Sequence, residues 1–151
     1  MGSTVADAGQ TEGDEARDDG AALARGWLEN SPFVAHLGIG LKSMEPGRAV
    51  LALPYREELP TMGEVVHGGA ISSLVDTAAA AAVWSGAEVP ERPRASTIGL
   101  TVDFLSPARG QGMTADARVV RRGGTGLCVC EVSVSADDGT DVARALVTYQ
   151  L

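Results

Sequence analysis

One segment limits the possible folds of this chain more than any other. Gly68 to Ser85 is the single long helical pattern in a sequence otherwise made of strand-like runs. It is built largely of alanine, the best helix former, with Ile71, Leu74, Val75, Val83 and Trp84 spaced around it. Gly86 and Pro90 close it. A helix of such small side chains is thin, and a strongly curved sheet can wrap closely around it.

Strand patterns stand on both sides. Gly40 to Met44 and Arg48 to Pro54 flank Glu45-Pro46-Gly47, a natural hairpin turn, and a loop runs from Tyr55 to Val66. After the helix, Ser96, Ile98, Leu100, Val102 and Phe104 alternate with Thr97, Gly99, Thr101 and Asp103 until Ser106-Pro107. Met113 to Arg121, Leu127 to Ala136 and Val142 to Leu151 follow, separated by Gly123-Gly124 and Asp137-Asp138-Gly139. Two strands, one long helix and four strands joined mostly by tight turns predict an α+β domain. Its expected form is an antiparallel sheet wrapped around one central helix.

Ahead of this frame, Ala21 to Glu29 reads as a short helix. Ser31-Pro32 reads as an N-cap and first helical residue of a second one through His36, stopped by Gly38. Residues 1–20 read as a flexible tail and 21–151 as the folded domain. The tail holds most of the net charge of −8, since residues 1–19 carry six acids against one base. An acidic chain without a basic stripe argues against nucleic acid as the main ligand. Its N-terminus lacks an apolar signal segment, and Ala78 to Trp84 is too short to span a membrane, so a cytoplasmic location is expected. Cys128 and Cys130 fit small apolar side chains in a reduced compartment; no disulfide, metal site or cofactor is expected.

The chemistry concentrates in Val65-Val66-His67-Gly68-Gly69 through Asp76-Thr77-Ala78. First-turn amides lack intrahelical partners and lie at the positive end of the helix dipole. Glycine lets another molecule come close, so this is either an oxyanion site or a plain loop-to-helix hinge. Asp76 lies past the first turn among apolar neighbours. It faces solvent, bonds to a nearby hydroxyl such as Ser73 or Thr77, or works at a perturbed pKa. Gly68 and Asp76 are about 12 Å apart along a helix at roughly 1.5 Å per residue. One helix therefore cannot bring both to one carbonyl, whereas an antiparallel copy can. If both groups are catalytic, the enzyme needs a dimer.

His-Gly-Gly-x4-Leu-x-Asp, with Phe104-Leu105-Ser106-Pro107-Ala108 on the next strand, resembles the hotdog-fold thioesterases of the phenylacetate-degradation (PaaI-like) group. The likeness spans about residues 31–151. It implies hydrolysis of an acyl-CoA thioester in a homodimer, often paired into a homotetramer, with the site shared between subunits. By this resemblance, Gly68 N–H polarises the carbonyl. Asp76 of the partner chain activates water or attacks directly, His67 supports the thioester or leaving thiolate, and Thr97 helps to hold the carboxylate or water. As a strand former, Thr97 also fits a purely structural role.

Gly69 is a further candidate substrate contact. Thr61 stands where many relatives have Asn, and Glu64 where Gly is common. Arg121 and Arg122, with Arg109 second, are candidates for the coenzyme A phosphates. Trp84 and Met62 are candidates for the acyl pocket or for simple packing. The competing reading is a non-catalytic acyl-CoA-binding hotdog protein, a sensor or regulatory subunit. Such sensors usually carry a DNA-binding helical domain, and the acidic stretch before Ser31 does not resemble one.

Overall fold

The structure, a computed structural model, describes residues 8–151. It contains α1 (Ala8–Asn30), α2 (Pro32–Leu37), β1 (Gly40–Glu45), β2 (Arg48–Leu53), β3 (Pro60–Met62), β4 (Val65–Val66) and α3 (Gly68–Ser85). β5 (Ser96–Phe104), β6 (Met113–Arg122), β7 (Leu127–Ala136) and β8 (Asp141–Gln150) complete it. Six strands form one sheet in the order β1-β2-β6-β7-β8-β5, every neighbouring pair antiparallel. The sheet curves around α3, which is the expected hotdog architecture.

Small residues on both sides make the close wrap possible. Leu74, Val75, Ala78, Ala79, Ala81 and Ala82 of α3 are fully buried. Opposite them, alternation places Leu51 and Leu53 of β2, Ala115 and Ala117 of β6, and Cys128 and Cys130 of β7 on the inner face. Both cysteines are free, and burial pushes the Cys130 thiol up to about 12. The far end of α3 is tied to the β1–β2 turn. Ser85 Oγ donates to the Glu45 carbonyl at 2.8 Å and accepts from Gly47 N–H at 3.1 Å. Gly47 has φ of 78°, the left-handed conformation that a turn with Pro at its second position requires of its third.

Two local expectations are corrected. The loop from Tyr55 to Val66 contains a small β3–β4 hairpin, which its two- and three-residue strands are too short to reveal by alternation. The first helix begins at Ala8 rather than Ala21, so its backbone covers much of the stretch read as tail. Gly9, Gly13 and three aspartates over 8–19 lower the helix propensity, which hides the helix from a reading of the sequence. Residues 1–7 of that stretch lie outside the described residues. Among the residues whose side chains are described, Gly20, Ala24 and Leu28 are buried, one face of α1 packed on the end of α3. Among the described residues, no helix is long and apolar enough to cross a membrane.

A Cβ added at Gly20 would lie 2.3 Å from the Trp84 carbonyl oxygen and 2.4 Å from that of Ala87. Both are backbone atoms and cannot simply rotate away. Gly20→Ala should therefore lose more to this collision, about 1–3 kcal/mol, than the ~1 kcal/mol it gains in helix propensity. Gly26→Ala, where an added Cβ meets nothing within 4 Å, should instead be stabilising. Urea unfolding of the two variants checks this; equal shifts would show that α1 does not dock at Gly20.

Candidate active site

The approach to α3 is held from two sides. His67 N–H donates to the Leu59 carbonyl at 2.8 Å, and Val66 N–H donates to that of Ala108 at 3.0 Å. An isolated bridge joins Val65 to Arg109. The second half of the sequence motif, Phe104 to Ala108, is thereby fixed beside His67-Gly68.

His67 is the N-cap of α3, with extended φ and ψ of −63° and 135°. Its Nδ1 accepts from Gly69 N–H at 2.8 Å. An accepting imidazole nitrogen carries no proton, so the neutral ring keeps its proton on Nε2. Ala70 and Ile71 N–H both reach the His67 carbonyl, at 2.9 and 3.2 Å. Among the described residues, Gly68 N–H alone of these first-turn amides has no acceptor. The oxyanion donor expected from Gly-Gly thus narrows to Gly68, because the Gly69 amide is already used.

Gly68 opens into a cleft of about 330 Å³. Thr61, Val65, Ile71, Phe104 and Leu105 line it, so Gly68 borders a largely apolar hollow. The Phe104 ring packs at Gly68, where Cζ would lie 3.2 Å from an added Cβ. Phe104 and Leu105 are 54% and 53% exposed, which leaves the cleft wall uncovered on one side.

Asp76 is half-buried on α3 and accepts a hydrogen bond from Thr97 Oγ1 at 2.6 Å. The nearby hydroxyls are engaged elsewhere: Ser73 donates to the Gly69 carbonyl at 2.8 Å and Thr77 to that of Ser73 at 2.7 Å. Neither is the partner of Asp76; Thr97 is. A carboxylate accepting one hydroxyl keeps other lone pairs for a water or a substrate. Asp76 is not among the residues lining the Gly68 cleft.

One residue escaped sequence reading. Tyr149, 7% exposed, is the ladder partner of Thr97, and its hydroxyl accepts from Trp84 Nε1 at 3.3 Å. Burial pushes its phenol pKa up, the Trp84 bond opposes this, and the Asp76 charge pushes it further up. Nothing in the sequence of β8 by itself singles Tyr149 out.

The remaining candidates fall into two groups. Thr61 lies in the cleft, and Met62 beside it is 80% exposed, so Met62 is not core packing. Glu64 is exposed, and its carbonyl accepts from Gly110 N–H at 3.0 Å. Arg109 is exposed at the bridge to Val65. Arg121 and Arg122 belong instead to the other end of α3: Arg122 Nη2 donates to the Val83 carbonyl at 2.9 Å, while Arg121 is exposed beyond a bulge in β6. Trp84 is buried at that same end.

The fold agrees with the comparisons. The Thioesterase superfamily model matches residues 63–143, and the chain belongs to that family. A Halobacterium salinarum protein, provisionally named an esterase, is 39% identical over 120 residues, 78% of each chain. The medium/long-chain acyl-CoA thioesterase YigI of Escherichia coli is 30% identical over 140 residues, covering 83% of this chain and 88% of its own. Among solved structures, the E. coli PaaI protein from the phenylacetic acid degradation operon superposes with a TM-score of 0.75 at 28% identity. The match covers 87% of this chain and 93% of that one.

A Cβ on Gly69 would lie 2.9 Å from His67 Nδ1 and 3.2 Å from its Cε1. Gly69→Ala should displace the imidazole and lose the cap, about 1 kcal/mol, which the helix propensity of alanine, up to ~1 kcal/mol, largely offsets; His67→Ala should show the loss in full. Adding Gly69→Ala to His67→Ala should not lower the thermal midpoint further, because the cap is lost only once. A further loss would show that the two residues do not act through one bond.

Proposed function

We propose that this protein hydrolyses an acyl-CoA thioester at a site built by two copies of the chain. The observation that carries the reading is the division of labour on α3. An unpartnered amide opens onto an apolar cleft at the helix start, and a hydroxyl-held carboxylate stands two turns further on. With a second α3 running antiparallel, Gly68 of one chain faces Asp76 of the other across a single thioester carbonyl.

In this arrangement the Asp76 carboxylate removes a proton from water as the oxygen attacks the carbonyl carbon. The carbonyl oxygen takes the negative charge and is met by Gly68 N–H. Collapse breaks the carbon–sulfur bond, releases the CoA thiolate and leaves the free acid. His67, protonated at Nε2, supplies a hydrogen bond to the thioester or the departing sulfur. Direct attack by Asp76, giving an anhydride that water then opens, is the covalent variant of the same site. Gly68 and Asp76 act directly in either route, with Thr97 holding Asp76 and Thr61 available at the cleft. For the CoA phosphates, Arg109 and Arg121 are better placed than Arg122, whose guanidinium is committed to α3.

The dimer reading draws support from the two sheet edges. β1 exposes Lys42, Ser43 and Glu45, polar side chains that discourage pairing. β5 exposes Ile98 at 59%, Leu100 at 42% and Phe104 at 54% along an unpaired edge. Covering the half of each side chain still exposed is worth roughly 1 kcal/mol each, so β5 is the edge that gains from meeting its twin.

Asp76→Asn keeps an oxygen to accept the Thr97 hydroxyl but cannot take a proton. Thiol release from acyl-CoA should fall by about 10²-fold or more in kcat, with the thermal midpoint nearly unchanged. Activity within a fewfold of wild type would rule out this role for the carboxylate.

A further inference from the structure

Among the described residues of one chain, β5 has β8 as its sole neighbour in the sheet, and its other edge is the one that meets the partner in the proposed dimer. Thr97, whose hydroxyl holds Asp76, stands next to a bulge that interrupts the β5–β8 register between Thr97 and Gly99. At Thr97 the β5–β8 ladder is thus locally interrupted. Its ladder partner is Tyr149. Residues paired across an antiparallel ladder project to the same face with Cβ atoms about 4.5–5.5 Å apart. Tyr149 is 7% exposed, and its hydroxyl accepts from Trp84 Nε1. Trp84 is itself 5% exposed and lies on α3, the helix that carries Asp76.

These contacts close a ring. From Asp76 the path runs through a 2.6 Å hydrogen bond to Thr97, across the ladder to Tyr149, and through a 3.3 Å hydrogen bond to Trp84. It then returns along two turns of α3 to Asp76. The ring fastens β5 and β8 to α3 at two points. Breaking the Trp84–Tyr149 contact leaves Thr97–Asp76 as the hydrogen-bonded link between the helix and this margin of the sheet.

We infer that Tyr149 and Trp84 are positioning residues for Asp76: their hydrogen bond braces β5 so that Thr97 keeps the carboxylate in one orientation. This rests on the reading of Asp76 as the catalytic carboxylate, and it assigns no contact with substrate to either aromatic residue. Removing the Tyr149 hydroxyl leaves the phenyl ring to fill the same space, so packing survives while the brace does not. A loosened carboxylate still allows substrate to bind, but it meets the water in the right orientation less often. The defect then belongs to kcat rather than KM.

The test compares Tyr149→Phe, Trp84→Phe and the double variant in acyl-CoA thiol release, with Thr97→Ser and Thr97→Val beside them. Tyr149→Phe should lower kcat about 5–20-fold with KM within twofold of wild type. The double variant should be no worse than the more damaged single one, since either change breaks the same bond. Thr97→Ser should retain activity that Thr97→Val loses. A second readout does not depend on turnover. Exchange of the Thr97 hydroxyl proton, slowed by its bond to Asp76, should be at least ten times faster in Tyr149→Phe by proton NMR. A wild-type protein that releases no thiol from any acyl-CoA defeats the proposed activity but leaves this exchange measurement decisive for the brace. Unchanged exchange overturns the inference, as does a kcat in Tyr149→Phe within twofold of wild type.

Discussion

An α-helix is rigid on the scale of a reacting carbonyl, and that rigidity governs everything this site can do. Gly68 and Asp76 belong to one uninterrupted helix, eight residues and about 12 Å apart. No side-chain rotation brings a backbone amide at the start of a helix to a carboxylate two turns along it. Each half of the chemistry is therefore complete on its own terms and insufficient alone. The amide has its apolar cleft, the carboxylate has its threonine, and neither is among the other's neighbours.

The rest of the fold serves to hold that helix where both halves are presented. Alanines on α3 and small residues on the inner face of β6 let the sheet wrap it closely. His67 caps the helix with its own imidazole, which uses the Gly69 amide and leaves the Gly68 amide as the open donor. Ser85 and Arg122 bind the far end, to the β1–β2 turn and to the Val83 carbonyl. The central helix is thus fastened at both termini, while its middle shows Asp76 to the less covered margin of the sheet.

Much of this was legible in the sequence, for reasons that can be named. Helical period and alanine content gave α3 its bounds, and strict alternation gave β5 and β7 theirs. Glycines at turns gave the hairpins. The His67-Gly68-Gly69 motif and Asp76 stand out because polar groups at a helix start and in a helix interior obey different rules. Less legible from local pattern was anything set by contacts distant in sequence. Thr97 alternates like any strand residue, and the family resemblance rather than any local signal singled it out over Thr101 as a partner for Asp76. Tyr149 is an ordinary inward aromatic until the β5–β8 register places it beside Thr97. The β3–β4 hairpin is too short to have a period. The helical backbone of α1 before Gly20 is hard to foresee, because Gly9, Gly13 and three aspartates over 8–19 disfavour helix.

The claim that two chains share one reaction centre is open to complementation. Gly68 is the first residue of α3, where proline is tolerated, and His67 already has the extended φ and ψ that a following proline demands. Gly68→Pro therefore deletes the amide proton without opposing the helix, while its ring presses on Phe104, 3.2 Å from the added Cβ, at the same half of the site. Chains carrying Gly68→Pro and chains carrying Asp76→Asn, each inactive alone, would be unfolded together, mixed in equal amounts and refolded. In every mixed dimer one site collects both defects and the other collects none. Random pairing should then restore about one quarter of wild-type thiol release. A mixture no more active than its two components would contradict the account.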